Sequence, residues 1–140
     1  MKKLALSLII FFFVFSLVSA EEQEYTNRSF ARLSYVTGNT YIQSVSELAY
    51  EEAEVNMPIA EGDRVGTTDG RAEIYLGRGA YLRLDYQTKI DITSLPRRGN
   101  DVTQVRVWAG NVYFSVKNLE EEKNIEIHTA DVSLYLLDQG

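Results

Sequence analysis

From residue 32 onward, apolar and polar residues alternate with a period of two, which is the pattern of half-buried β-strands rather than of helices. The clearest example is the segment 72–84, where two alternating runs flank the turn sequence Gly77-Arg78-Gly79. Folding the segment about this turn matches apolar with apolar, aromatic with aromatic and acidic with basic positions. The pattern therefore predicts a β-hairpin with three cross-strand pairs: Ile74 with Leu82, Tyr75 with Tyr81, and Glu73 with Arg83.

Three further segments show similar alternation around a candidate turn. Val105 to Val116 has Gly110-Asn111 at its centre, which predicts a second hairpin. Leu33 to Gln43 has Gly38-Asn39 and predicts a third. The fourth, Ile125 to Leu137, lacks a central glycine, so a bend or a corner between two sheets is as well favoured as a hairpin. In the second hairpin the expected pairs are Val107 with Phe114, Trp108 with Tyr113, and Val105 with Val116.

Shorter strands fit residues 63–67 and 89–93, and Glu47 to Glu54 is interpreted as a loop or an irregular strand. The fold class is all-β, an antiparallel β-sandwich or β-roll of short strands, with a short stacked β-helix as the alternative. The predicted core consists of the inward apolar positions of these strands: Leu33, Val65, Ala72, Ile74, Leu76, Leu82, Leu84, Ile90, Ile92, Val105, Val107, Val112, Phe114, Val116, Ile125, Ile127, Val132, Leu134 and Leu136.

The N-terminal segment has the three regions of a secretory signal peptide. Lys2 and Lys3 precede an apolar run that ends at Val18, and Ala20 provides a small residue before the expected cleavage. We expect residues 1–20 to be a signal peptide, 21–31 a flexible leader and 32–140 one β domain. An uncleaved membrane anchor is the alternative. The expected location is periplasmic or secreted in a bacterium, with membrane contact only through the signal peptide during export.

Composition narrows the possible functions. The chain of 140 residues has no cysteine, one histidine and a formal net charge of −6. The absence of cysteine excludes disulfides, thiolate metal sites and thiol catalysis, and one histidine argues against a histidine-built metal centre. The negative charge argues against general nucleic-acid binding. We expect no metal and no cofactor.

No catalytic arrangement is supported by the sequence. His128 could be drawn with Ser133 and Glu126 as a triad if 125–137 formed a hairpin, but no glycine elbow precedes the serine. The aspartates at 63, 69, 85 and 91 lack the spacing of a calcium loop. We therefore expect a protein that is not an enzyme.

A family resemblance is carried by Val55 to Thr67, with a proline, a Gly-Asp turn and a strand ending in threonine, by Gly70 to Ile74, and by Leu82 to Asp85 with Thr88. These motifs resemble those of the FecR-type domain, and the resemblance covers about Arg32 to Gly140. The string Gly110 to Tyr113 and the segment from His128 to Val132 are similar to later motifs of the family, with Ala130 where proline is usual.

What the resemblance implies is a fold and an extracytoplasmic location, with the ligand left open. Iron-citrate regulators of this family carry a cytoplasmic sigma-factor-binding segment and a membrane span, whereas this chain has two lysines and a signal-like segment there. We expect an exported, non-catalytic binding, scaffolding or sensor module of the cell envelope. Similar proteins continue past Gly140 into another strand, so we expect the domain to be truncated and its last strand to present an open edge.

An aromatic and arginine-bearing surface is the candidate binding face. If the strands share one sheet, several rings lie opposite the aliphatic face, next to two arginines, which suits stacking on sugars or packing against a protein. The competing function is thus binding of a cell-envelope polysaccharide, and the expected partner is an envelope protein or a polysaccharide. The residues of this face are Tyr75, Tyr81, Arg83, Arg106, Trp108, Tyr113 and Tyr135.

Overall fold

The computed structural model describes residues 31–117, 125–130 and 133–137, the last range for its backbone only. The expected signal peptide and residues 21–30 of the leader lie outside the described residues. The described residues form twelve β-strands: β1 Ala31–Thr37, β2 Thr40–Gln43, β3 Tyr50–Glu52, β4 Pro58–Ile59, β5 Arg64–Thr67, β6 Arg71–Gly77, β7 Ala80–Leu84, β8 Lys89–Ser94, β9 Thr103–Ala109, β10 Asn111–Val116, β11 Ile125–Thr129 and β12 Ser133–Leu137.

The strands make two six-stranded sheets, which we call sheet A and sheet B. Sheet A has the order β12-β10-β7-β6-β1-β4, and sheet B has the order β11-β9-β8-β5-β2-β3. Strands that follow each other in the chain occupy the same position in the two orders, as β1 and β2 or β9 and β10 do. The chain therefore crosses repeatedly from one sheet to the other.

This architecture confirms the predicted all-β sandwich. Neighbouring strands are antiparallel, except that β12 runs parallel to β10 and β11 runs parallel to β9 at one end of the sandwich. A stacked β-helix, the alternative, would need parallel coils throughout, whereas β6 with β7 and β8 with β9 pair antiparallel.

The core lies between the two sheets and closely follows the predicted alternation. Every predicted core residue from Leu33 to Val116 is buried, and Ile125 and Ile127 are half-buried against that core. The predicted core positions Val132, Leu134 and Leu136 lie outside the described side chains. The prediction omitted six buried apolar residues, most of them in short strands and connections: Ala31, Ile42, Ala53, Ile59, Ala80 and Leu95.

The hairpin predicted for residues 72–84 is confirmed with all three of its cross-strand pairs. The backbone at Gly77, Arg78 and Gly79 has φ values of 101°, 49° and 82°. Two of these three left-handed positions are glycines, which adopt positive φ without the steric cost that a Cβ brings. The turn sequence and the side-chain alternation thus agree on one register.

The hairpins predicted at 105–116 and 33–43 are wrong. β9 belongs to sheet B and β10 to sheet A, so Phe114 pairs with Leu82 rather than with Val107. β1 and β2 are divided between the sheets in the same way. The Gly-Asn sequence at each site forms a corner between the two sheets. The hairpins were predicted because alternation fixes which side chains point inward but does not determine which strand is the neighbour. At 125–137 the corner alternative is confirmed, since β11 and β12 lie in different sheets.

Thr88 holds the corner between β9 and β10. Its side-chain oxygen accepts a hydrogen bond from the Asn111 backbone N–H at 3.1 Å and lies 3.1 Å from the Asn111 carbonyl oxygen. Gly110 has φ +90° and passes directly over this threonine, so that an added Cβ would lie 2.5 Å from Thr88 Cα and 2.6 Å from the Gln87 carbonyl oxygen. The corner therefore requires glycine for both conformation and space.

We predict that Gly110→Ala destabilises the domain more than Gly77→Ala. Both positions have positive φ, which costs a residue with a side chain about 1–3 kcal/mol, but a Cβ at Gly77 meets nothing within 4 Å. The overlap at Gly110 should add about 1–3 kcal/mol to the loss of unfolding free energy. Urea unfolding followed by circular dichroism measures both variants. Equal losses would contradict the close approach of Gly110 to Thr88.

Candidate functional site: a groove on the outer face of sheet A

Four charged side chains stand on the outer face of sheet A, and we call them the charged quartet. Arg71 Nε donates to Asp85 Oδ1 at 2.8 Å, and Arg83 Nε donates to Glu73 Oε2 at 2.6 Å. Arg71 and Glu73 lie on β6, whereas Arg83 lies on β7 and Asp85 directly follows it. The two ion pairs therefore have opposite directions, and positive and negative groups alternate both across and along the strands.

A β-bulge in β1 places a tyrosine beside this quartet. The pairing of β1 with β6 shifts between Leu33 and Tyr35, so that Leu33 pairs with Ile74 and Tyr35 pairs with Glu73. The extra residue, Ser34, has a hydroxyl that donates to Glu73 Oε1 at 2.8 Å. The bulge reverses the alternation of β1, which leaves the Tyr35 side chain 51% exposed on the outer face.

A groove with a volume of about 590 Å³ lies between the two ion pairs. Ala72 and Leu84, which are cross-strand neighbours, contribute to its lining beneath the quartet. Tyr35 and Tyr113 also line it, from β1 and β10. Register places Tyr113 opposite Arg83, which is opposite Glu73, which in turn is opposite Tyr35. The groove thus runs across four strands with a tyrosine toward each end.

The predicted tyrosine pair lies next to the groove on the same face. The ring centroids of Tyr75 and Tyr81 are 5.1 Å apart. The Arg32 guanidinium carbon lies 5.3 Å from the Tyr75 centroid, and Lys117 Nζ lies 5.9 Å from the Tyr81 centroid. Both rings are therefore already covered in part by cations, and neither lines the groove.

Arg106 and Trp108, two of the predicted face residues, lie on the outer face of sheet B. Trp108 Nε1 donates to Asp91 Oδ2 at 2.7 Å, and Arg64 donates to both oxygens of the same carboxylate, at 2.6 and 3.0 Å. The guanidinium carbons of Arg64 and Arg106 are 5.8 and 5.4 Å from the Trp108 ring. This cluster fixes the only tryptophan of the chain in place.

Hydrogen bonding sets the ionisation of this cluster. Partial burial acts to raise the pKa of Asp91, but the hydrogen bonds from Arg64 and Trp108 outweigh it and hold the pKa below its ordinary value of 3.8. The same hydrogen bond from Arg64 to Asp91 raises the pKa of the guanidinium. Both groups are consequently charged at neutral pH.

The predicted binding face is thus divided between the two sheets. Tyr75, Tyr81, Arg83 and Tyr113 share the outer face of sheet A, whereas Arg106 and Trp108 are on sheet B. The backbone of Tyr135 pairs with that of Tyr113, and its side chain lies outside the described residues. Ligand binding by either face stays a prediction.

Sequence reasoning missed four of the charged and aromatic residues that line the groove. Arg71, Glu73 and Asp85 follow from the confirmed hairpin once the charged positions of its outer face are counted together with Arg83. Tyr35 is different, because regular alternation from Leu33 would point it into the core. The bulge that exposes Tyr35 has no glycine, proline or asparagine to mark it in the sequence.

A second recess, of about 460 Å³, lies at the β1–β2 corner. Tyr86 of this recess contacts Arg71 of the groove, with the guanidinium carbon 4.5 Å from the ring centroid. The lining of the recess consists of Asn39, Thr68, Asp69, Tyr86 and Gln87.

The part of the chain that the structure describes contains no group of three or more histidine, aspartate or glutamate side chains that could hold a metal ion. His128 Nε2 lies 3.2 Å from Glu126 Oε2, and the pKa of Glu126 is lowered, first by a hydrogen bond from Gln104 and then by His128. His128 lies in β11 of sheet B and Ser133 in β12 of sheet A, so the hairpin needed to set them opposite each other does not form.

Comparison with known proteins identifies the family. A family model described as FecR protein matches residues 63–138, which is more than half of the chain. The chain belongs to the FecR family. The match covers both ion pairs of the charged quartet in this FecR domain, and Tyr35 lies outside it. No curated protein and no solved structure matches the chain. The described residues include no helix with the length and apolar character needed to cross a membrane.

We predict that Asp91→Asn destabilises this FecR domain at neutral pH and that the difference from the wild type disappears in acid. Because the folded-state pKa of Asp91 lies below its ordinary value, its stabilising contribution is present above about pH 4 and is lost as pH falls through the folded-state pKa. Urea unfolding measured at neutral pH and at the lowest pH at which the wild type stays folded gives this comparison.

Asp101→Asn is the matched control. Asp101 faces Arg78 at 3.5 Å in an exposed pair, so its replacement should change stability little at either pH. A loss in Asp91→Asn that persists unchanged in acid would show that the carboxylate charge contributes nothing.

Proposed function

We propose that this FecR domain is an exported, non-catalytic binding module that serves in sensing or scaffolding at the cell envelope, with the sheet A groove as its ligand site. Family membership supports a regulatory role rather than an enzymatic one. The groove adds a specific surface to that general role. Its partner would be an envelope protein or a polysaccharide.

The observation that carries the proposal is the preorganisation of the groove. Both oxygens of Glu73 are engaged, one by Ser34 and the other by Arg83. Arg71 is held from one side by Asp85 and rests on the ring of Tyr86. Side chains that are already ordered lose little conformational entropy when a ligand binds, so more of the contact energy contributes to affinity.

The same contacts favour binding over catalysis. Hydrolysis of a glycosidic bond, for example, needs one carboxylic acid able to give a proton to the leaving oxygen. Each carboxylate beside the groove, Glu73 and Asp85, instead accepts a hydrogen bond from an arginine. These contacts suit a groove that binds a polar molecule without reacting with it.

Export is supported by the sequence of residues 1–20, with its two lysines, its apolar run and its small residues before Glu21. The negative net charge also disfavours nucleic acid as a partner. On this proposal the domain meets its ligand in the periplasm or outside the cell, and it contacts the membrane only through the signal peptide during export.

We predict that the chain, produced in a bacterium with its own N-terminus, is recovered outside the cytoplasm with Glu21 as its first residue. Cell fractionation followed by N-terminal sequencing gives the answer. A chain that stays in the cytoplasm and begins at Met1 would contradict the export proposal.

We further predict that the purified domain binds an envelope fraction through the groove. Sedimentation with isolated cell-wall polysaccharide and chemical crosslinking in envelope membranes would separate the two partner classes. Tyr35→Ala should reduce binding about tenfold, in the range of a single important contact.

Tyr50→Ala is the matched control for this experiment, because Tyr50 is a 60% exposed tyrosine in β3 of sheet B, away from the groove. Its binding should equal that of the wild type. Equal binding by Tyr35→Ala, Tyr50→Ala and wild type would remove the groove from the proposal.

A further inference from the structure

We infer that the groove of sheet A recognises a neutral oligosaccharide, in preference to an anionic or cationic polymer. This inference rests on the proposed function and names the chemical class of its ligand. Three properties of the groove carry it: the cancellation of its charges, the mixture of hydrogen-bond donors and acceptors, and the tyrosines toward its two ends.

The charged quartet is neutral as a group and is arranged so that its signs alternate. Arg71 has Asp85 across the strands and Glu73 two positions along β6. Arg83 has Glu73 across the strands and Asp85 two positions along the chain. A charged group entering the groove therefore meets both signs at comparable distances, and attraction to one is offset by repulsion from the other.

The net charge of the whole chain also disfavours the binding of anionic polymers. A formal net charge of −6 repels a polyanion at long range, and the groove offers no excess of arginine to overcome that repulsion. Sites for phosphate or carboxylate groups have arginines that are available for bidentate contacts. In this groove each guanidinium already uses its Nε–H on a carboxylate.

Sugar hydroxyl groups match the hydrogen-bond donors and acceptors that the ion pairs of the quartet leave unused. A guanidinium has five N–H donors, so Arg71 and Arg83 retain donors beyond the one that each gives to its carboxylate. A carboxylate oxygen has two lone pairs, so Glu73 and Asp85 retain acceptor capacity. A sugar hydroxyl both donates and accepts, and it can therefore bridge an arginine and a carboxylate without bringing a charge.

The tyrosines provide the apolar part of such a site. Pyranose rings have C–H faces that pack on aromatic side chains, and Tyr35 and Tyr113 line the groove from β1 and β10. These strands are separated by β6 and β7, so the backbones of the two tyrosines are three strand spacings apart, or about 14 Å. That length exceeds one pyranose ring, which points to a chain of several sugars.

The probes for the experiment are N-acetylated chito-oligosaccharides and cello-oligosaccharides, from monomer to hexamer, as two neutral series. Deacetylated chito-oligosaccharides are the cationic match with the same backbone, and oligouronates are the anionic probe. Titration calorimetry should show binding to at least one neutral series that tightens with chain length. The charged probes should bind at least about tenfold more weakly than their neutral counterpart.

Affinities of tyrosine variants, and affinities measured at increasing salt concentration, test whether the neutral chain binds in the groove. Tyr35→Ala and Tyr113→Ala should each weaken binding of the neutral chain about tenfold, while Tyr50→Ala leaves it unchanged. Circular dichroism verifies that each variant is folded. Affinity for the neutral chain should stay constant as salt rises, because no net charge is neutralised in the complex.

Each other outcome has a defined meaning. If the neutral probes fail while Tyr35→Ala still reduces binding to the envelope fraction, the inference is overturned and the proposed function stands. Tighter binding of a charged probe, or neutral binding that the tyrosine variants leave intact, also overturns the inference. If Tyr35→Ala affects neither the probes nor the envelope fraction, the groove is lost as the ligand site for both.

Discussion

The close approach of Gly110 to Thr88 determines how the second half of the sandwich is built. With no side chain at Gly110, the chain can leave β9 in sheet B and enter β10 in sheet A without an intervening loop. This crossing sets Tyr113 beside Arg83 on sheet A and leaves Trp108 on sheet B, where Asp91 holds it. A hairpin at the same residues would instead have placed the two aromatic side chains side by side.

The groove is the product of two such departures from a regular sheet. The corner at Gly110 brings the tyrosine of β10 onto sheet A, and the bulge at Ser34 turns Tyr35 outward on β1. Between them, the regular hairpin of β6 and β7 supplies two ion pairs of opposite direction. Irregular backbone therefore positions the aromatic groups, and regular backbone positions the charges. The charged groups are held by hydrogen bonds before any ligand arrives, which is why we propose a binding role for this FecR domain.

Much of this structure could be predicted from the sequence, and the failures have a common cause. The register of 72–84 followed from three matched pairs and a glycine turn, and the core followed from alternation. At 105–116 the same alternation was compatible with a hairpin and with a corner, because both keep Val107 and Phe114 inside. The choice depends on the contact of Gly110 with Thr88, which is distant in the sequence and invisible to a local pattern. The bulge that exposes Tyr35 likewise depends on a residue of another strand, because the hydroxyl of the bulged Ser34 donates to Glu73.

Backbone nuclear Overhauser effects test the central claim most directly, since they report which strands are neighbours. The account predicts cross-strand contacts between Phe114 and Leu82 and between Tyr35 and Glu73, with none between Phe114 and Val107 across a turn. These contacts would place both groove tyrosines on the face that carries the charged quartet. Hairpin contacts between Phe114 and Val107, or a regular pairing of β1 without the bulge, would contradict it.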